Sequence, residues 1–172
     1  LDTAVELIGR YMRAQHQNGV KIGNVSRMVQ TLNAQVFTKL WQLIVPDEVM
    51  ENTCVIVMGS EGRGEQIMRT DQDNTLIIRD GYDHPELAKF ADTFNQHLAN
   101  LGYPLCDGNI MMNNPMWRQP LKPFKAQIST WFKNTKPMHS IYLSAIFDGE
   151  YVCGDESLLI QVREHLKTAH RQ

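Results

Sequence analysis

Two short apolar runs, joined by a glycine-rich charged segment, constrain the fold of this chain more than any other feature. The first run is Thr53–Met58, and the second begins at Asp73 and ends before the turn signal Asp80-Gly81. Both runs are short and rich in β-branched residues, which indicates buried strands. Because only residues 59–72 separate them, the two strands are predicted to be neighbours in one sheet.

A pair of aspartates leads into the second run. Asp71 and Asp73 are separated by Gln72, so on an extended chain both carboxylates point to one face. Adjacent carboxylates repel unless they share a cation, and Mg²⁺ binds through one or two carboxylates plus substrate phosphates. The layout predicts a metal-dependent phosphate-transfer site. Gln72 is expected on the opposite face, in packing or hydrogen bonding.

The glycine-rich segment upstream has the residue types of a phosphate-binding loop. Gly59 lacks a Cβ, so a phosphate can approach the backbone there, and Ser60 adds a hydroxyl donor. Arg63 can bind two phosphate oxygens at once. Gly59, Ser60 and Arg63 are therefore the predicted nucleotide- and phosphate-binding residues. Arg63 has an alternative role as a solvated charge or an ion-pair partner of Glu61 or Glu65.

The remaining pattern predicts helices on both sides of a small sheet. Apolar residues recur at helical spacing over residues 2–17, 25–45 and 85–101, and again in three segments after residue 123. A third strand is expected within Leu105–Met112. Residues 1–46 are thus predicted as an N-terminal helical segment, 47–115 as the catalytic core and 116–172 as a C-terminal helical region, in an α+β fold.

Composition narrows the class of protein. The chain of 172 residues is 42% hydrophobic with a net charge of −2, which argues against nucleic-acid binding through bulk electrostatics. Three widely spaced cysteines without a C-x-x-C motif indicate reduced thiols in a cytoplasmic protein. No apolar run approaches the roughly 18 residues that span a bilayer. The start at Leu1-Asp2, without Met, suggests a piece excised from a longer protein.

Gly59-Ser60 followed by Asp71-x-Asp73 on the next strand resembles the signature of the DNA polymerase beta-like nucleotidyltransferase superfamily. The fuller string, Gly-Ser-Glu-Gly-Arg-Gly-Glu-Gln and then Thr-Asp-Gln-Asp-Asn, is closer to the nucleotidyltransferase domain of bacterial signalling proteins that also carry CBS and cyclic-nucleotide-binding domains. That domain is similar to the N-terminal domain of the PII-protein uridylyltransferase. Gly154-Asp155 also fits the resemblance.

The resemblance implies a nucleotidyltransferase-type mixed sheet, with an N-terminal helical hairpin and C-terminal helices around it. It implies that Gly59 and Ser60 contact nucleotide phosphates and that Asp71 and Asp73 are catalytic metal ligands for Mg²⁺ (or Mn²⁺). The expected reaction moves a nucleoside monophosphate from a nucleoside triphosphate to a hydroxyl of a protein or small molecule. CBS or cyclic-nucleotide-binding domains are the expected partners in the full-length chain.

This sequence departs from the superfamily pattern at the position of a third carboxylate. Active members of the superfamily place one on a later strand, whereas the segment Gly108–Asn113 contains no acid. Asp107, just before it, is the first candidate for this catalytic role, followed by Asp148 and Asp155. Without a third carboxylate the domain would be a catalytically inactive nucleotide-binding regulatory module. A helical interaction domain with a relic motif is a third hypothesis.

Overall fold

The computed structural model of the chain describes residues 2–17, 22–58 and 71–171. Helices in these ranges are α1 (Asp2–Gln17), α2 (Ile22–Ile44), α3 (Asp47–Glu51), α4 (Leu87–Asn100), α5 (Leu121–Lys133), α6 (Pro137–Phe147) and α7 (Glu156–His170). Strands are β1 (Thr53–Val57), β2 (Asn74–Ile78), β3 (Arg118–Pro120) and β4 (Glu150–Gly154), and a short 3₁₀ turn at Pro115–Trp117 precedes β3.

The four strands form one mixed sheet in the order β3-β2-β1-β4. β1 pairs antiparallel with β2, with Val57 opposite Asn74, and antiparallel with β4. β3 pairs parallel with β2. The α+β class with a small mixed sheet is therefore confirmed. The predicted adjacency of the two apolar runs is confirmed as well.

Helices cover both faces of the sheet because the central strands are apolar on both sides. β1 and β2 are buried along their whole length, so neither face can be left to solvent. One face packs against α1, α2, α3 and α4, where Trp41 and Phe94 meet edge to face at 5.5 Å. The other face packs against α5, α6 and α7. The sheet is thus the middle layer of three.

An aromatic cluster fills the second face. Trp117 is fully buried and lies 5.4 Å from Trp131 and 6.0 Å from Phe124, measured between ring centroids. Tyr142 of α6 completes the cluster at 5.7 Å from Trp117. The heptad spacing of these aromatics in the sequence therefore marks core packing.

The prediction of a strand within Leu105–Met112 is wrong. That segment is irregular, and the third and fourth strands lie instead at Arg118–Pro120 and Glu150–Gly154. Both were hidden because they are short: β3 is half-buried at one edge of the sheet, and β4 is bounded by Gly149 and Gly154 between two helices. The segment 116–172 therefore adds two strands to the sheet along with its helices, and the domain boundaries at 46 and 115 stay a prediction.

Gly154 permits the turn from β4 into α7. Its φ is +93°, and a Cβ built there would lie 2.0 Å from the carbonyl oxygen of Thr53. Only glycine adopts this conformation so close to a neighbouring backbone. Asp155 then caps α7 by accepting from the backbone N–H of Ser157.

Candidate functional site

Asp71 and Asp73 lie at the end of the sheet where β1 finishes and β2 begins. The backbone N–H of Met58, just after β1, donates to the carbonyl of Asp73 at 2.9 Å. Asp71 is exposed and Asp73 is half-buried, whereas Gln72 between them is only 5% exposed. The alternation predicted for this segment is therefore confirmed: Gln72 points into the core, opposite the aspartates.

The backbone on both sides of Asp73 is held by the segment that follows α4. The N–H of Gln72 donates to the carbonyl of Pro104 at 2.8 Å, and the N–H of Asn74 donates to the carbonyl of Ile110 at 3.1 Å. Residues 105–109 therefore leave the sheet edge between two fixed points. This excursion carries Cys106, which lies near Asp73, and the exposed Asp107.

Cys106 lies close to Asp73. Its thiol favours the ionised form of the Asp73 carboxylate, which lowers the pKa of Asp73. Burial acts more strongly in the other direction, and the charge of Asp71 adds to it, so the pKa of Asp73 lies above its ordinary value. Burial also raises the pKa of Cys106. The described residues therefore do not fully offset the cost of ionising the partly buried Asp73 carboxylate.

The donor chemistry fits a divalent cation. Two carboxylate oxygens side by side, one of them partly withdrawn from water, are hard ligands of the kind that Mg²⁺ and Mn²⁺ take up together with phosphate oxygens and water. A cation held there would offset both the burial of Asp73 and its repulsion from Asp71. Asp71 and Asp73 therefore fit the predicted role of metal ligands.

Among the described residues, no third carboxylate joins Asp71 and Asp73 in a metal-binding group. Within residues 2–17, 22–58 and 71–171, no three His, Cys, Asp or Glu side chains are grouped so that they could hold a metal ion. Asp107 is exposed on the excursion, and its catalytic role stays a prediction. Asp148 ends α6 at the same end of the sheet as Asp73, but β1 lies between β2 and β4.

Asp155 has a different role. It caps α7 at the opposite end of the sheet and pairs with Arg79 at 2.5 Å. These contacts, led by the hydrogen bond from Ser157, lower its pKa. Asp155 thus links the end of β2 to the start of α7 and stands apart from the aspartate pair.

The predicted phosphate-binding residues Gly59, Ser60 and Arg63 fall in residues 59–70, which lie outside the described residues. A cavity of about 20 Å³ adjoins the aspartate pair, with Phe37 and Tyr103 among its walls. A space of this size holds about one water molecule. It does not by itself accommodate a nucleotide.

Sequence reasoning missed two residues that support the site. The sequence pattern marks Cys106 only as one of three reduced thiols, and it does not mark Asn95 of α4 as a site residue. Asn95 is fully buried and bonds to both neighbours of Asp73. The signal was present in the sequence, since Asn95 follows Phe94 and precedes Leu98 on the apolar stripe of an amphipathic helix, where a polar residue needs a partner.

The mixed sheet with an aspartate pair at the start of its second strand is the arrangement expected of a nucleotidyltransferase-type protein. A family model described as "Putative nucleotidyltransferase DUF294" matches residues 6–138, which include the whole segment from β1 to β3. The chain belongs to this family. No curated protein matches the chain. None of the helices in the described ranges has the length and hydropathy needed to cross a bilayer.

Proposed function

We propose that the chain is a metal-dependent nucleotidyltransferase that moves a nucleoside monophosphate from a nucleoside triphosphate to a hydroxyl of a protein or small molecule. The observation that carries the proposal is the Asp71/Asp73 pair at the start of β2, with the pKa of Asp73 raised by burial and by Asp71. A partly buried carboxylate beside a second one is suited to holding a cation. The family match supports the reaction class.

Each residue of the site has a part in this proposal. Asp71 and Asp73 would hold Mg²⁺ or Mn²⁺, which neutralises charge on the triphosphate and activates the attacking oxygen when bound. Gly59, Ser60 and Arg63 would bind the phosphates. The acceptor hydroxyl would attack the α-phosphorus, its proton would pass to Asp107, and pyrophosphate would leave. Phosphoryl chemistry of this kind depends mainly on positioning and charge stabilisation.

The setting we propose is a bacterial signalling protein with CBS or cyclic-nucleotide-binding domains, in which this domain works as the N-terminal domain of the PII-protein uridylyltransferase does. The resemblance around residues 59–74 supports this setting. A cytoplasmic location follows from the same proposal, because nucleoside triphosphates are cytoplasmic substrates. Free Cys54, Cys106 and Cys153 agree with it.

The test is transfer of label from an α-³²P-labelled nucleoside triphosphate, in the presence of Mg²⁺, to an acceptor in a bacterial extract. We expect labelling by the wild type and its loss in Asp71→Asn and Asp73→Asn. Asp47→Asn is the matched control, since Asp47 is an exposed aspartate in the first turn of α3, before β1 begins. Equal labelling by all four proteins would refute the assignment to this site.

A second candidate function is nucleotide binding without transfer, in a regulatory module. It is favoured by one observation, that no third carboxylate joins Asp71 and Asp73 among the described residues. Calorimetry with a non-hydrolysable triphosphate and an assay for pyrophosphate separate the two. Binding without pyrophosphate release, unchanged in Asp107→Asn, favours the regulatory module. Absence of nucleotide binding would contradict both functions.

A further inference from the structure

Asn95 is the centre of a buried amide network behind the aspartate pair. Its Nδ2 donates to Oε1 of Gln72 at 2.9 Å and to Oδ1 of Asn74 at 3.1 Å. Its Oδ1 accepts from the backbone N–H of Asn113 at 2.9 Å. Gln72 and Asn74 are the two neighbours of Asp73, so one side chain of α4 holds both.

The direction of every bond in this network is fixed by backbone groups. Nε2 of Gln72 donates to the carbonyls of Asn95 and Tyr103, at 2.9 and 3.1 Å, and carbonyls can only accept. Oε1 of Gln72 must therefore be the acceptor that faces Asn95. The N–H of Met112 donates to Oδ1 of Asn74 at 2.9 Å, so this oxygen also faces Asn95. The side chain at position 95 must therefore donate to the oxygens of Gln72 and Asn74 and accept from the N–H of Asn113, which requires two donors on one side and an acceptor on the other.

We propose that Asn95 is a positioning residue for the metal-binding aspartates, an inference that rests on the proposed function of Asp71 and Asp73. Asn95 fixes the backbone on both sides of Asp73 through Gln72 and Asn74. Through the N–H of Asn113 it also fixes the far end of the segment that carries Cys106. The Asp73 carboxylate is thereby held toward the cation site and against the Cys106 thiol, because neither its own strand nor the facing excursion can shift.

The chemistry of the position excludes the nearest replacements. Asp at position 95 would keep the acceptor for Asn113 but would turn an oxygen toward the oxygens of Gln72 and Asn74. Turning either amide around to meet it would leave a backbone carbonyl or the Met112 N–H without its partner. Each alternative leaves an unpaired polar group in a fully buried place. The strand end can avoid this only by moving, and Asp73 moves with it.

The test compares Asn95→Asp with Thr53→Val, a control that removes a buried hydrogen bond of 2.7 Å at the opposite end of β1. Mn²⁺ alone is the probe, and binding is measured by electron paramagnetic resonance. We expect Asn95→Asp to weaken Mn²⁺ binding on the order of tenfold, the usual effect of losing a residue that orients a metal ligand. Thr53→Val should bind Mn²⁺ as the wild type does. Unchanged affinity in folded Asn95→Asp would overturn the inference and leave the proposed function standing.

The rate at which Cys106 reacts with Ellman's reagent, in the absence of metal, is a second readout of the same geometry. The other two cysteines are buried, so the thiol beside Asp73 reports alone. We expect the rate to change in Asn95→Asp and to stay constant in Thr53→Val. If the wild type binds no Mn²⁺, the proposed function fails, and an unchanged thiol rate in Asn95→Asp then overturns the positioning role too. Asn95→Ser, which is uncharged, takes the place of Asn95→Asp if that variant does not fold.

Discussion

Replacing Asp73 by Asn should stabilise the metal-free protein and at the same time remove its response to metal. In the absence of a cation, the ionised Asp73 carboxylate is disfavoured by burial and by the neighbouring charge of Asp71, which together raise its pKa. An amide of the same shape carries no charge and still presents an oxygen near the Cys106 thiol. The substitution therefore removes an unfavourable charge and keeps the shape of the side chain.

The size of the effect follows from the spacing of the two carboxylates. Residues two apart on an extended chain are separated by about 7 Å. Unit charges at this distance repel by about 0.6 kcal/mol in water and by about 1.2 kcal/mol at half the dielectric constant of water. Asp71 is exposed, so solvent screening keeps the repulsion near the lower value. Removing a partly buried charge adds to this effect. We therefore expect the free energy of unfolding to rise by about 1 kcal/mol in Asp73→Asn, which corresponds to about 2–4 °C in the melting temperature.

Mn²⁺ should reverse the order of stability of the two proteins. At a concentration one hundred times its Kd, a cation that binds only the folded state adds about 2.7 kcal/mol to the wild type. Asp73→Asn should lose most of this gain, whereas the control Asp47→Asn should keep it. Urea unfolding with and without Mn²⁺ measures all three proteins.

The pH dependence has a definite sign. Because the pKa of Asp73 is raised in the folded state, the metal-free wild type loses stability as the pH rises through that value. The advantage of Asp73→Asn should thus be absent below the ordinary value of 3.8 and fully developed above the raised pKa. The reasoning is refuted if Asp73→Asn is the less stable protein without metal, or if Mn²⁺ stabilises it as much as it stabilises the wild type.

Three further predictions concern the surroundings of the site. Gly154→Ala should lower the free energy of unfolding by about 2–5 kcal/mol, from left-handed backbone strain plus overpacking. The added Cβ would meet the carbonyl oxygen of Thr53 at 2.0 Å. Urea unfolding measures the change, and a loss under 1 kcal/mol would contradict this prediction. Iodoacetamide should modify Cys106 and leave the two buried cysteines intact, since burial raises the pKa of each to about 12; peptide mass spectrometry locates the label, and labelled protein should bind Mn²⁺ more weakly. Asp155→Ala should cost about 1 kcal/mol through the lost helix cap and leave Mn²⁺ affinity unchanged, because Asp155 lies at the far end of the sheet.

Local sequence patterns were sufficient for the elements with strong periodicity. The two β-branched runs became β1 and β2, and the apolar stripe of residues 85–101 became α4, because each segment carries its own burial pattern. The alternation of Asp71, Gln72 and Asp73 was also readable, since side chains on an extended chain alternate whatever they pack against.

Short edge strands were not readable from local sequence. β3 spans only Arg118–Pro120, and its residues become a strand through pairing with Leu76, Ile77 and Ile78 of β2. The irregular course of residues 105–112 has the same kind of cause. Pro104 and Ile110 accept hydrogen bonds from the two neighbours of Asp73, and the chain between them is free to leave the sheet. Pairing partners distant in the sequence decide both features.

The sequence by itself determined the chemistry available to this protein: an aspartate pair at the entrance of a buried strand, preceded by a glycine-rich segment. Such chemistry is local, because it depends on residue types and on the alternation of an extended chain. Only the tertiary structure decided what surrounds the pair. In the folded chain, Cys106 lies near Asp73, and Asp155 lies at the opposite end of the sheet. Asn95 of α4 hydrogen-bonds to both neighbours of Asp73. These contacts join residues far apart along the chain, and their formation depends on the packing of α4 and the following segment against β2.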